Sequence, residues 1–241
     1  MEPVWQQFSA LLPVYPEVSP THPLGCHRPI RRRVRAWSDA GLATELHALA
    51  ITQYDRMIGL DLDDIAVGGC IKKAPCGGEK AGRSPVDRGK FGLKRSTMTD
   101  AAGIPLQVVS AGANRHDAPL LAPTLDGLDL FSPLPPETAI HLDRGYDSVK
   151  SRTLLEGLGI TGVIARKGIP APIQVGCRWV VERTQSWMNG YGKLRRCTER
   201  IGVVVDFHLF LAASFVVARC LIQHARRRYR WTNQPTTRRL K

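Results

Sequence analysis

The stretch TAIHLDRGYDS, Thr138–Ser148, decides how this chain is read. Thr138 to Leu142 predicts a short apolar strand that ends on Asp143. Asp147 or Ser148 then opens a helix over 147–158. A carboxylate at the C-terminal end of a strand is placed to face a site rather than the core. Taken alone, Asp143 reads equally as a turn aspartate that caps the next few backbone amides, and in isolation that plainer reading is preferred.

Outward from this strand the chain alternates. Upstream lie three strand candidates: Ile65–Val67 with its neighbours, Leu93–Thr99 and Ile104–Ser110. The last two are joined at Asp100–Gly103, which reads as a hairpin turn. Residues 74–92 form a loop rich in glycine, proline and charge. Residues 116–128 predict a helix with Asp117 near its start. Downstream follow a strand at Gly162–Ala165 and helices over 177–190 and 201–228. Three strands can pair as an antiparallel meander, and the later ones can add in parallel through helical crossovers. The expected fold is α/β, a mixed sheet flanked by helices. Before it, residues 31–58 carry one helical pattern with Trp37, Leu42, Leu46, Leu49 and Ile51 on the apolar side. Residues 1–30 are turn-rich and proline-rich, and the end from 226 to 241 is basic and polar.

The balance of charge narrows the partner. Thirty-four Lys and Arg against 21 Asp and Glu leave a formal charge of +13 in 241 residues. A polyanion explains that excess, because each neutralised phosphate releases a counterion. Hydrophobic residues make up 43%, enough for a packed core, which excludes wholesale disorder. The six cysteines include no C-x-x-C pair and fit no zinc-finger spacing, so reduced thiols in a cytoplasmic protein are expected. Glu2, Gln6 and Gln7 interrupt any apolar run of a secretory signal. In IGVVVDFHLFLAASFVVARCLI, residues 201–222, the uninterrupted apolar part runs only from Leu209 to Ala218. A bilayer needs about 20 residues, so a buried core helix is expected and no membrane.

A second acidic residue completes a pattern. Glu182 lies in RWVVERTQSW, residues 178–187, with Arg178 one helical turn before it. Alone, this is an ordinary i, i+4 ion pair. Together, HLDRGYDS and RWVVERTQSW resemble the second and third acidic motifs of DDE-type bacterial insertion-sequence transposases. APCGGEKAGRSPVDRGKFGLKRSTMTDAAGIPL (74–106) and SAGANRHDAPLL (110–121) are similar to the strand-loop-strand region of the same family. The resemblance runs in order from about Ile58 to Arg228.

That resemblance implies a ribonuclease-H-like catalytic domain over 58–228. It implies a truncated N-terminal helical region over 1–57, and leaves a basic tail over 229–241. It implies three carboxylates holding two divalent ions, Mg²⁺ or Mn²⁺, that clamp a scissile DNA phosphate. Asp143 would be the second ligand and Glu182 the third, with Arg178 orienting Glu182 or touching a phosphate. The first ligand departs from the family. In DDIAVGGC, residues 63–70, Gly68 stands where the family has an aspartate. Asp64 would share that face but lies about 13 Å along the strand, and Asp63 would point the other way. Neither can serve a site whose metals lie roughly 3.5–4 Å apart. The expectation is a degenerate copy with impaired strand cleavage and transfer.

The same resemblance places HPLGCHRP, residues 22–29, at the start of a DNA-binding helical region and Arg31–Tyr54 at its last helix, with the residues between them missing. The implied partners are double-stranded DNA and transposon terminal inverted repeats, bound by a homo-oligomer at the nucleoid. Arg31, Arg32 and Arg33 are candidate phosphate contacts or simply a solvated face, and Arg195, Arg196 and Arg200 are a candidate phosphate track. His116 is a candidate DNA contact or helix-start packing residue. Trp179 and Trp187 are expected in the core. A non-catalytic DNA-binding remnant that regulates transposition is the competing reading, and a general nuclease of the same fold is a third.

Overall fold

A computed structural model describes residues 27–166, 168–170 and 177–229, together with Gln6 and Ala10. Most of HPLGCHRP, the rest of the first 26 residues and the basic end from Arg230 lie outside the described residues.

Two helices come first, α1 (His27–Asp39) and α2 (Leu42–Met57). The single helical pattern expected over 31–58 is therefore divided. Gly41, at φ 70°, takes a left-handed conformation that a side chain would resist, and the chain turns there. The sheet contains β1 (Asp64–Lys73), β2 (Gly82–Arg83), β3 (Phe91–Thr99), β4 (Pro105–Gly112), β5 (Ala139–Leu142) and β6 (Thr161–Ile164). Strand β1 is much longer than its apolar core Ile65–Val67. Gly68 and Gly69 interrupt the apolar pattern, but backbone pairing with β3 continues from Ala66↔Thr99 to Lys73↔Gly92. The hairpin at Asp100–Gly103 stands as expected. Asp100 accepts the Ile104 amide at 2.7 Å, and Gly103 supplies φ 86°. The remaining helices are α3 (Ala118–Leu125), α4 (Val149–Gly157), α5 (Arg178–Met188), α6 (Gly192–Arg195) and α7 (Gly202–Arg228). A 3-10 turn, Asp126–Phe131, finishes the helix expected over 116–128.

The strands lie in the order β4-β3-β1-β5-β6, with β2 pairing to the start of β3. β1 is antiparallel to β3, and β3 to β4; β1 is parallel to β5, and β5 to β6. Leaving out the two-residue β2, the order is third, second, first, fourth, fifth. This is the expected ribonuclease-H-like arrangement, an antiparallel meander extended by parallel strands.

Helices cover both faces. On one, Tyr54, Leu93, Val108, Met188, Leu209 and Val217 bury the sheet against α2, α5 and α7. On the other, Ile65, Val67, Met98, Leu106, Leu121, Ile140, Leu142 and Leu155 pack beneath α3 and α4. Helix α7 has the length and apolarity to cross a membrane, but Val205, Leu209, Ala213 and Val217 are core residues. Strand β3 departs from the usual alternation, because Lys94, Arg95, Ser96, Thr97 and Thr99 are all buried. The Thr97 and Thr99 hydroxyls have no hydrogen-bond partner among the described residues, but the other three are paired, which makes their burial tolerable. Lys94 meets Asp117, Arg95 donates to Asn189 at 2.6 Å, and Ser96 bonds with Tyr146 at 3.0 Å.

Candidate active site

The site forms where β1 and β5 run side by side. Val67 is in register with Leu142, so the next residues, Gly68 and Asp143, are neighbours. A Cβ built on Gly68 would lie 3.6 Å from Asp143 Oδ2 and 2.7 Å from Val181 Cγ1. Helix α5 covers this face of the sheet. Its Val180, Val181, Thr184 and Met188 are buried at helical spacing. Gln185 Nε2 donates to the Gly68 carbonyl at 2.9 Å and ties helix to strand.

Asp143 is half-exposed, with Arg178 Nη1 4.0 Å from its Oδ1. Burial pushes the Asp143 carboxyl above the ordinary carboxylate range. The Arg178 cation pulls it down, and the charges of Glu182 and Asp117 push it up again. Asp143, Arg178 and Glu182 are thus brought into one electrostatic neighbourhood. Glu182 is exposed, and its charge acts on Asp143.

Asp117 comes from the opposite face of the sheet. Its carboxylate sits where Cβ atoms on Gly69 and Gly145 would lie, 2.5 and 2.7 Å away. Two residues without side chains are therefore required for it to reach the end of β5. It does not cap α3 through its side chain but pairs with Lys94 at 3.0 Å. Sequence reading set Asp117 down as a helix-start residue. The signal that could have raised it was the cation at Lys94, one alternation away from Arg95 on a strand too polar to be ordinary core.

A divalent metal of the kind the motifs imply must be judged against these donors. Asp143 and Glu182 supply hard oxygens suited to Mg²⁺ or Mn²⁺. A second ion needs a further free carboxylate. Gly68 has none, Asp117 is neutralised by Lys94, and Asp64 is bonded to His141 Nε2 at 2.7 Å. The residues fit one ion and not a bridged pair.

The other candidates stand apart. His116 is exposed on the turn before α3, so it does not pack at the helix start. Arg195 and Arg196 are exposed beside the far end of β1, where Lys73 bridges to Arg196. That is five residues from Gly68, roughly 17 Å along a strand. Arg31, Arg32 and Arg33 are exposed on α1, which packs on α7. Trp179 was expected in the core but is 42% exposed. It and Trp187 hold Arg183 between them, at 4.5 and 4.9 Å from the ring centroids. The i, i+4, i+8 spacing stacks the three side chains along one side of the helix, and Trp187, as expected, packs against the core while Trp179 faces outward.

Residues 57–169 match the family described as Transposase DDE domain, a stretch that contains Gly68 and Asp143 and stops short of Glu182. A protein described as a transposase for insertion sequence element IS402, from Burkholderia cepacia, is 38% identical over 130 residues, 52% of this chain and 62% of that protein. The transposase for insertion sequence element IS1106 from Neisseria meningitidis serogroup B is 36% identical over 78 residues, 32% of this chain and 25% of that protein. The chain therefore spans less than two thirds of either relative. The crystal structure of the catalytic domain of Mos1 mariner transposase is a more distant likeness, with a TM-score of 0.34 and 9% identity over 88% of this chain and 98% of that one. By its matched stretch and its insertion-sequence relatives, this chain is similar to DDE-domain transposases, and the family match covers a little under half of its length.

Proposed function

We propose that the chain is the catalytic domain of an insertion-sequence transposase whose metal-dependent DNA strand cleavage and strand transfer is impaired at Gly68. One observation carries the reading: Gly68 adjoins Asp143, so the position nearest that carboxylate offers no ligand. Asp143 and Glu182 would hold a divalent ion, Mg²⁺ or Mn²⁺. That ion, when bound, supplies Lewis-acid polarisation of a DNA phosphate. Arg178 positions the Asp143 carboxylate and adds positive charge where a phosphate would sit. Gln185 and Val181 fix the helix that carries Glu182 against β1. The partners would be double-stranded DNA and the element's terminal inverted repeats, bound by a homo-oligomer in the cytoplasm.

A second reading is a non-catalytic DNA-binding regulator of transposition. Gly68 favours it over a working enzyme, and the charge of +13 fits both. The test uses the purified full chain, DNA carrying the element's ends, and Mg²⁺ or Mn²⁺. Salt-sensitive binding without cleavage is expected. Efficient cleavage by the unaltered chain would overturn the impairment. Failure to bind DNA at low salt would overturn both readings.

A further inference from the structure

At the start of β1, away from the Gly68–Asp143 pair, three side chains from three elements converge. Asp64 is the first residue of β1, His141 lies on β5, and Cys177 immediately precedes α5. The β1–β5 register pairs Asp64 with Ala139, which sets His141 two residues further along the same face. Helix α5 begins over that face and brings Cys177 to it. A ligand atom from each of the three lies within 4.8 Å of the other two. Asp64 Oδ1 and His141 Nε2 are 2.7 Å apart. Among the described residues no other group of three His, Cys, Asp or Glu side chains converges in this way.

We propose that Asp64, His141 and Cys177 form a binding site for a thiophilic divalent transition ion of the Zn²⁺ class. The donor set decides the class. Carboxylate oxygen, imidazole nitrogen and thiolate sulfur suit Zn²⁺ or Co²⁺ at about 2.0–2.3 Å each, whereas Mg²⁺ keeps to oxygen. Seated between them, such an ion spaces its ligands roughly 3.5 Å apart, for tetrahedral bonds of that length. The three atoms already lie within 4.8 Å of one another, with Asp64 and His141 at 2.7 Å, so small side-chain rotations suffice. Charge balances as well. The Asp64 carboxylate and the Cys177 thiolate together neutralise a dication. Binding releases the thiol proton to solvent, and the imidazole proton moves from Nε2 to Nδ1, a nitrogen with no hydrogen-bond partner to lose. The Asp64 side chain is 46% exposed, which opens a path for the ion and leaves room for a water as fourth ligand.

The site would fasten the start of α5 to both strands that carry Gly68 and Asp143. It does not depend on the transposase reading, because none of its ligands is a DDE position. The test is Co²⁺ titration of the reduced full chain followed by optical absorption. A thiolate-to-cobalt charge-transfer band in the near ultraviolet is expected to saturate at one equivalent. Zn²⁺ should displace it, and excess Mg²⁺ should not. Cys177→Ser should lose the band and Asp64→Asn should weaken binding, while Asp143→Asn should leave it unchanged. Zn²⁺ should raise the Tm of the unaltered chain and not that of Cys177→Ser; the metal-free Tm of each variant checks its folding. No thiolate band in the unaltered chain overturns the proposal. So does a band that survives Cys177→Ser, or one that Asp143→Asn abolishes.

Discussion

Gly68 and Asp143 adjoin across the parallel β1–β5 pair, and a Cβ on Gly68 would stand 3.6 Å from Asp143 Oδ2. A carboxylate at position 68 would therefore face the Asp143 carboxylate directly. The same Cβ would also lie 2.7 Å from Val181 Cγ1, a buried, branched side chain that has no flexible end to swing aside. The position favours an aspartate electrostatically, once a metal is bound, and opposes it sterically.

The first prediction joins these two effects. Gly68→Asp is expected to gain metal-dependent cleavage of end DNA over the unaltered chain, while losing about 1–3 kcal/mol of stability to overpacking. Adding Val181→Ala should relieve the clash and raise cleavage further. Gel assays of labelled DNA and urea unfolding midpoints read the two effects separately. A folded Gly68→Asp/Val181→Ala protein that binds end DNA and still cuts nothing would show that Gly68 is not the only lesion.

The second concerns Asp143 itself. Burial raises its carboxyl, Glu182 and Asp117 add to the rise, and Arg178 opposes it. Removing the cation in Arg178→Gln should raise the Asp143 pKa further. Removing the anion in Glu182→Gln should lower it. Carboxyl ¹³C chemical shifts against pH follow the residue directly. Equal titration in all three proteins would mean that the three side chains do not share one site in solution.

How far the sequence alone reached can be judged from these same residues. Asp143 at the end of an apolar strand and Glu182 on a polar-faced helix were readable because strand and helix periodicities fix where such side chains emerge. The antiparallel meander and the parallel strands that extend it followed from the alternation of elements. Three features were not readable. The extent of β1 past Gly69 is set by pairing with β3, which no local pattern encodes. The break at Gly41 rests on one residue's left-handed backbone within a continuous helical pattern. Asp117 reaches the site only because residues 69 and 145, far apart in sequence, both lack a side chain.

That last arrangement yields a third prediction. Lys94 and Asp117 are mostly buried and paired at 3.0 Å. Asp117→Ala leaves the lysine uncompensated, and a cost of about 3 kcal/mol is expected, the lower part of the range for breaking buried pairs. Lys94→Met in the same chain should recover much of it. Chemical unfolding of the two single variants and the double variant forms the cycle. Additive losses would mean that the pair carries no coupling.

The basic surface gives a fourth. Arg195 and Arg196 are exposed side by side at the end of α6. If each neutralises one phosphate, changing either to alanine should reduce the slope of log K against log[salt] by about 0.9. Fluorescence anisotropy with duplex DNA at several salt concentrations measures it. An unchanged slope in the double variant would assign DNA contact to other arginines, with Arg31, Arg32 and Arg33 on α1 the next to test.

The last prediction is a pH dependence of stability. His47 is buried on α2 and bonded through Nε2 to the Pro105 carbonyl at 2.9 Å, so that nitrogen carries a hydrogen. Burial holds its pKa down at about 4, against 6.5 for the free side chain, and the carbonyl contact offsets only part of this. Between these values the unfolded chain binds a proton that the folded chain does not. Stability from His47 is therefore complete above pH 6.5 and is lost as pH falls toward 4, by about 3 kcal/mol in all. His208 and His224 are lowered in the same direction, so the unaltered chain alone cannot isolate the effect. The difference between the unaltered chain and His47→Gln can. The glutamine side chain keeps an N–H for Pro105 and does not titrate, so the stability of this variant should fall less steeply from pH 6.5 to 4. Identical slopes in urea denaturation would mean that His47 is already protonated in the fold, with its charge met by a partner other than Pro105.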